Sequence, residues 1–402
     1  MTAVGTSTSA VGAVTEAATL DGALDLQPAV ESRPSGGLRW AVRPNGSPAS
    51  EADRAAVFAD PGFGRHFTDN MATAAWTADR GWHDALIGPL RPFQLSPASA
   101  VLHYSQSIFE GLKAYRHADG SVHLFRPEAN GARFARSARR LALPELPVED
   151  FLSSLTELVR TEIAWVPGGG ETSLYLRPLM FGDEAFLGVR PSRSAQYSVI
   201  ASPAGSYFTR GPVPVSLWVA EHYSRAAPGG TGAAKTGGNY AASLLPQQEA
   251  VANGCDQVVF LDAVEHRWIE ELGGMNVFVV RADGTVVTPP LTGAILEGVT
   301  RDAILAFAGE LGYTPVEQPI ALDDLRADVR SGRVLEVFAC GTAAVVTPVG
   351  RIVQAGLEDL VVGTGSGPVT AALPVTSAIR TGLLDLQYGR RPDPAGWLRQ
   401  VA

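Results

Sequence analysis

Across residues 148–165 the apolar side chains Phe151, Leu152, Leu155, Leu158 and Val159 recur every three to four positions, the spacing that lays one stripe along a helix. Residues 129–143 set Arg and Ala at the same spacing and predict a helix with a basic face. Ahead of these, Val122–Phe125 alternates and stops at a turn, Arg126-Pro127, while the apolar run 99–104 predicts a strand. Residues 172–178 alternate Tyr and Leu and predict a strand closed by Pro178; residues 197–201 predict another.

The second half alternates short β-branched runs with helical stretches. Strands are predicted over 215–220, 258–262, 277–281, 286–288 and 334–339, and helices over 240–253, 300–311 and 322–331. A Pro/Gly-rich connection, 203–212, separates the halves. The pattern predicts an α/β (α+β) protein of two mixed domains: 38–204, a linker 205–212, and a larger 213–402. Residues 1–37 carry no aromatic side chain and are expected to be a disordered tail. Packed structure is expected to begin near Phe63.

Composition narrows the function classes. A net charge of -9 argues against nucleic acid or an anionic membrane as a general partner. No apolar run approaches the ~18 residues that span a bilayer. The start of the chain lacks the basic residues of a secretory signal. Two cysteines, Cys255 and Cys340, exclude a disulfide framework, and a cytoplasmic location is expected. No His/Cys/Asp/Glu spacing suggests a metal.

The chemistry centres on one lysine among small residues, Gly229 to Tyr240, with Lys235 inside. Three readings stay open: a solvated lysine in a flexible linker, a P-loop for nucleotide phosphates, or an amine that forms a Schiff base. Ala234 stands where the P-loop motif needs glycine, which weighs against the second. Glu270-Glu271 before Gly273-Gly274 reads either as a charged hairpin corner or as a carboxylate for a pyridine nitrogen. Gly298-Val299-Thr300 opens a helix, and residues 338–344 end a strand in small residues; each could expose N–H groups to an anion or be plain scaffold. Tyr175 and Arg177 share a strand face, as a surface ladder or as a carboxylate site. His103 reads as structural, and Cys340 has no neighbouring base.

Taken in order, Phe109-Glu110-Gly111-Leu112-Lys113-Ala114, Tyr175-Leu176-Arg177-Pro178, Lys235-Thr236-Gly237-Gly238-Asn239-Tyr240, Glu271-Leu272-Gly273-Gly274-Met275-Asn276, Leu296-Glu297-Gly298-Val299-Thr300-Arg301 and Gly341-Thr342-Ala343 resemble the branched-chain amino acid aminotransferases, pyridoxal-phosphate (PLP) enzymes of fold type IV. The resemblance runs from about Phe63 to near the C-terminus. It implies PLP at a domain interface and reversible amino transfer between leucine, isoleucine or valine and 2-oxoglutarate. Lys235 would hold PLP as an internal aldimine and carry the 1,3-proton shift, Tyr240 would meet the cofactor's phenolic oxygen, and Glu271 its ring nitrogen. Arg133, Gly298, Val299, Thr300 and Thr342 would form the phosphate cup.

For substrate, the same resemblance implies a lining of Phe63, Tyr104, Phe109, Tyr175 and Tyr207. Arg177 would meet the distal carboxylate of glutamate, and the Thr342 and Ala343 amides the α-carboxylate. Tyr104, Leu187 and Val189 would reach the other subunit's site in a homodimer. The chain departs from some members at Gly274, where they carry Thr, and at Ala344 and Thr347, where a redox Cys pair is absent. Other fold type IV enzymes (a D-amino acid aminotransferase or aminodeoxychorismate lyase), a P-loop-like nucleotide-binding protein and a non-catalytic binding protein are the competing readings.

Overall fold

The structure, a computed structural model, describes residues 37–205, 213–363 and 373–402. Residues 38–402 form one compact unit holding two nine-stranded sheets. Tail residues 1–36, Tyr207 and most of the expected linker lie outside the described residues.

The first sheet is built from β1 (Ala41–Val42), β2 (Asn70–Thr77), β3 (Gly81–Pro89), β4 (Ser107–Phe109), β5 (Leu112–Arg116), β6 (Val122–Phe125), β7 (Ser173–Gly182) and β8 (Ser194–Ala204). Its order is β1-β3-β2-β8-β7-β5-β6, with β4 paired to β7. The second sheet comprises β9 (Val215–Ala220), β10 (Gln257–Leu261), β11 (Ile269–Leu272), β12 (Asn276–Arg281), β13 (Thr285–Thr288), β14 (Thr314–Glu317), β15 (Val334–Gly341), β16 (Val345–Val353) and β17 (Leu360–Val361). Its order is β11-β10-β9-β16-β15-β12-β13-β14, with β17 on β16. The last strand, β18 (Leu398–Gln400), returns to the first sheet and pairs antiparallel with β6. The C-terminus is thus stitched to the opposite half of the chain.

Helices Pro127–Arg140 and Val148–Thr161 cover the first sheet. The predicted stripe is the buried face of the second of these: Phe151, Leu152, Leu155, Leu158 and Val159 pack with Phe134 and Tyr197 in one core. A second core lies between the other sheet and helix Leu322–Arg330. A third joins the halves: Tyr115 and Phe125 of the first sheet pack with Phe278, Phe338, Ile304, Phe307, Ile379 and Leu383. Non-directional apolar burial of this kind resists relative sliding of the two sheets, because each side chain sits in a close-packed socket.

Four expectations need correction. Residues 99–104 are not a strand: Ala100–Tyr104 is a short helix with Leu102 and Tyr104 exposed, so the apolar run is not a core run. Pro178 does not close its strand, because β7 continues to Gly182, and the missing proline N–H is absorbed at one position of a ten-residue ladder. The helix expected over 240–253 is two, Gly237–Ala241 and Leu244–Ala252, broken at Ala242-Ser243. Packed structure also begins well before Phe63, since β1 and helix Glu51–Ala59 precede it; Trp40 packs onto Tyr197 with ring centroids 6.4 Å apart.

Candidate active site

The lysine loop is neither a loose linker nor a phosphate cradle. Asn239, buried, donates to the carbonyls of Thr231 and Ala234, each at 2.8 Å, and accepts from Thr231 Oγ1 at 2.7 Å. Gly232 lies so close to Ala294 that a Cβ would meet its carbonyl oxygen at 2.2 Å, so the loop backbone is pressed onto protein, where a P-loop would face phosphate. The segment is then laced to the first sheet. Phe109 N–H donates to Lys235 O at 2.9 Å, Thr236 Oγ1 to Ser107 O at 2.8 Å, and Lys235 N–H to Ser137 Oγ at 3.0 Å. Lys235 therefore stands at the seam between the sheets.

Its ammonium donates to Tyr240 Oη at 2.7 Å and lies over the Phe109 ring, 4.6 Å from the centroid. The break after Ala241 leaves Tyr240 on a short turn of helix beside the lysine, with its ring 4.9 Å from that of Phe109. Gly274 leaves open space there: an added Cβ would touch the Tyr240 ring at 3.5 Å, an ordinary contact.

Glu271 lies on β11, buried, and forms an ion pair with the equally buried Arg225. Leu296 N–H donates to Glu271 Oε1 at 2.8 Å. Burial raises the Glu271 carboxyl above its ordinary pKa, with Arg225 and the Leu296 amide pulling it partly back. The result is a fixed, basic carboxylate. Arg225 also donates to Ala294 O at 2.6 Å and so ties this carboxylate to the strap covering the lysine loop.

Arg133 is held by Glu110, which is sealed from solvent. Nε and Nη2 donate to its two oxygens at 2.7 and 2.8 Å, while Nη1 donates to Glu297 O at 3.0 Å. Asn130 adds a third donor to Glu110 at 2.8 Å. Burial by itself would push Glu110 up, but the Arg133 charge and hydrogen bonds outweigh it and hold the carboxyl below its ordinary value. Next along the chain, Gly298 caps helix Val299–Glu310 without a side-chain cap, leaving the first-turn N–H groups available. A Cβ on Gly298 would meet Asn276 Oδ1 at 2.0 Å. Val299, Thr300 and Thr342 line one cleft together with Asn130 and Lys113.

Around the substrate side, Arg177 Nη2 donates to Tyr175 Oη at 3.0 Å, and its guanidinium lies 4.9 Å from the Phe109 centroid. Phe63 packs edge-on to Tyr175 at 4.9 Å. The Thr342 and Ala343 turn joins β15 to β16. Tyr104, Leu187 and Val189 form a separate exposed corner, where Tyr104 Oη donates to Leu187 O at 2.5 Å. Among the described residues no His/Cys/Asp/Glu group could hold a metal, and no helix is long and apolar enough to cross a membrane. Burial keeps the Cys340 thiol protonated, and His103 satisfies Pro97 O at 2.8 Å as a structural histidine.

The donor set suits a pyridine carrying an aldehyde, a phenolic oxygen and a phosphate: one amine, one phenol, one basic carboxylate, one buried arginine and an uncapped helix N-terminus. Two partners were missed by sequence reasoning. Arg225 stands alone before the Gly-rich loop, and Glu110 is an acid set between Ile108-Phe109 and Gly111-Leu112 where β4 gives way to β5; a charge in such a setting was the available signal.

Residues 107–352 match the model of the family described as amino-transferase class IV. A probable branched-chain-amino-acid aminotransferase of Streptomyces coelicolor is 55% identical over 362 residues, 90% of this chain and 98% of that one. The branched-chain-amino-acid aminotransferase of Mycolicibacterium smegmatis is 50% identical over 371 residues, 91% and 99% of the respective chains. Among solved structures, the Escherichia coli branched-chain amino acid aminotransferase superposes with a TM-score of 0.67 at 31% identity, covering 82% of this chain and all of that one. The T.th. branched-chain amino acid aminotransferase with pyridoxamine 5'-phosphate gives 0.65 at 32% identity, covering 82% and 99%. The chain belongs to the class IV aminotransferases, and within them to the branched-chain-amino-acid aminotransferase group. The fold type IV architecture expected from the sequence, two mixed α/β halves, is the one found.

Proposed function

We propose that the chain is a PLP-dependent transaminase that moves the amino group between leucine, isoleucine or valine and 2-oxoglutarate. The observation that carries this is Lys235 Nζ held 2.7 Å from Tyr240 Oη at the seam, with Glu271 and Arg225 buried in the same half. When bound, the cofactor supplies a carbonyl for the amine and an electron sink for the α-carbon.

The chain's own groups then do the following. Lys235 Nζ anchors the cofactor and moves the α-proton, with Tyr240 Oη keeping the amine in place between transfers. Glu271, made basic by burial and fixed by Arg225, holds a proton at the ring nitrogen. Arg133, the Val299 and Thr300 amides behind Gly298, and Thr342 bind the phosphate. Phe63, Phe109 and Tyr175 exclude water around an apolar side chain, and Arg177 receives the distal carboxylate of glutamate. The Thr342 and Ala343 amides receive the α-carboxylate shared by both substrates.

Tyr104, Leu187 and Val189 form an exposed corner suited to a second copy of the chain, so a homodimer with partner side chains at each site is part of the reading. The proposed division is 38–204 and 213–402, with β18 crossing back, and the proposed location is the cytoplasm.

The test is direct. Purified protein should be yellow, and borohydride reduction should leave a pyridoxyl adduct on Lys235. L-leucine, L-isoleucine and L-valine should donate to 2-oxoglutarate; preference for D-alanine would overturn the substrate assignment, and a colourless protein that binds ATP would overturn the cofactor.

A further inference from the structure

Lys113 is a lysine the reaction does not use. It lies on β5, directly across from Tyr175 on β7, so both side chains rise from the same face of the first sheet. That face looks onto the cleft lined by Thr300, Gly341 and Thr342. Lysine is almost never buried this deeply without a partner, and Lys113 is only 6% exposed. Its ammonium crosses to the second sheet and donates to Ala343 O at 2.9 Å.

The segment it grips is under strain. Gly341 pairs with Val345 across the β15–β16 hairpin, leaving Thr342, Ala343 and Ala344 as a three-residue loop. Left-handed backbone at such a hairpin turn is a place for glycine. Here the residue is Val345, at φ +60°, the conformation a β-branched side chain tolerates least. Such a turn persists only where its surroundings over-determine it. The Ala343 carbonyl lies in the middle of that turn, and the cation on it comes from the other sheet.

We propose that Lys113 is a positioning residue for the substrate α-carboxylate: by holding Ala343 O it fixes the strained turn whose Thr342 and Ala343 amides receive that carboxylate. The inference rests on the proposed role of those two amides. Burial has lowered the Lys113 pKa to about 8, with Glu171 opposing and Arg380 reinforcing the shift, so the ammonium is kept at a cost that its grip on the turn accounts for.

The experiment is Lys113→Met in the holoenzyme, a nearly isosteric change that removes the donor. Because both substrates carry the α-carboxylate, KM for leucine and for 2-oxoglutarate should rise together, by about tenfold each, with kcat within about threefold and PLP affinity falling by less than KM rises, since Arg133 and the Val299 and Thr300 amides also hold the phosphate. Binding of 4-methylvaleric acid, a carboxylate with no amine to react, should weaken by the same factor. Lys113→Gln keeps a donor one atom shorter and should fall between the two; it also carries the test if the Met variant does not fold. Unchanged KM values, or loss of PLP without a change in KM, would overturn the proposal. An ester in place of the Ala343 N–H separates the two layers. If the ester leaves KM unchanged, the amide reading fails; if it raises KM while Lys113→Met does not, only the role of Lys113 fails.

Discussion

Arg225 and Glu271 pair within a region sealed from water, each side chain no more than 4% exposed. A buried pair of this kind contributes little net stability, but breaking it leaves one charge stranded. Arg225→Gln should therefore destabilise the fold by about 3–5 kcal/mol, read by urea unfolding. It should also push the Glu271 carboxyl further up, since the opposing charge is gone. If the carboxylate acts on the cofactor ring, the holoenzyme spectrum and kcat should both change, whereas a purely structural pair would move only the unfolding curve.

Tyr240→Phe removes the acceptor on which Lys235 Nζ rests and leaves the ring packed on Phe109. We expect kcat to fall by about 10²-fold, the scale of one positioned proton-transfer partner. Leucine KM should change much less. Lys235→Ala should abolish turnover entirely, because Tyr240 cannot supply an amine.

Gly298→Ala tests the phosphate site. The new Cβ would collide with Asn276 Oδ1, which is 2.0 Å from its ideal position, and Asn276 is itself held by donation to Leu296 O at 3.1 Å. The first turn of helix Val299–Glu310 must shift to relieve the clash. PLP affinity should drop by more than about tenfold in equilibrium dialysis, with the fold retained.

Much of this was legible in the chain. The stripe from Phe151 to Val159 marked its helix, and β9 ends where its β-branched run ends. The short helix Ala100–Tyr104 was not legible, because an exposed apolar run and a buried strand share one pattern and only its surroundings tell them apart. The lysine loop was legible as chemistry but misleading as mechanics. Its glycines suggest freedom, while Asn239 and Ala294 clamp it. Arg225 and Glu110 were hidden for a different reason: an ion pair between residues 46 apart, or 23 apart for Glu110 and Arg133, has no local spacing to read.

Glu162 offers a stability test away from the site. Its carboxyl is buried, accepts from Asn70 Nδ2 at 2.5 Å, and is raised to about 7, mainly by burial. An acid whose folded pKa lies above its unfolded value binds more protons when folded, so stability falls as pH rises from about 4.5 to about 7. Glu162→Gln keeps the acceptor and removes the ionisation. Its advantage over the parent should be absent near pH 4 and reach on the order of 2–3 kcal/mol at pH 8, measured by urea unfolding at both values.

Arg177 carries the sharpest prediction about specificity. Its guanidinium is wedged between the Phe109 and Tyr175 rings, 4.9 and 5.3 Å from their centroids, and donates to Tyr175 Oη. Its Nε is buried with no hydrogen-bond partner. A buried donor left unmade costs about 1–3 kcal/mol, so the site gains when an acceptor arrives. A planar cation there would discriminate a distal carboxylate from an apolar side chain. Arg177→Met should raise KM for 2-oxoglutarate by about 10- to 100-fold and that for leucine by no more than about threefold. Lys113→Met should raise both equally. If the two variants gave the same profile, the separation of distal and α-carboxylate recognition between the first sheet and the β15–β16 turn would be wrong.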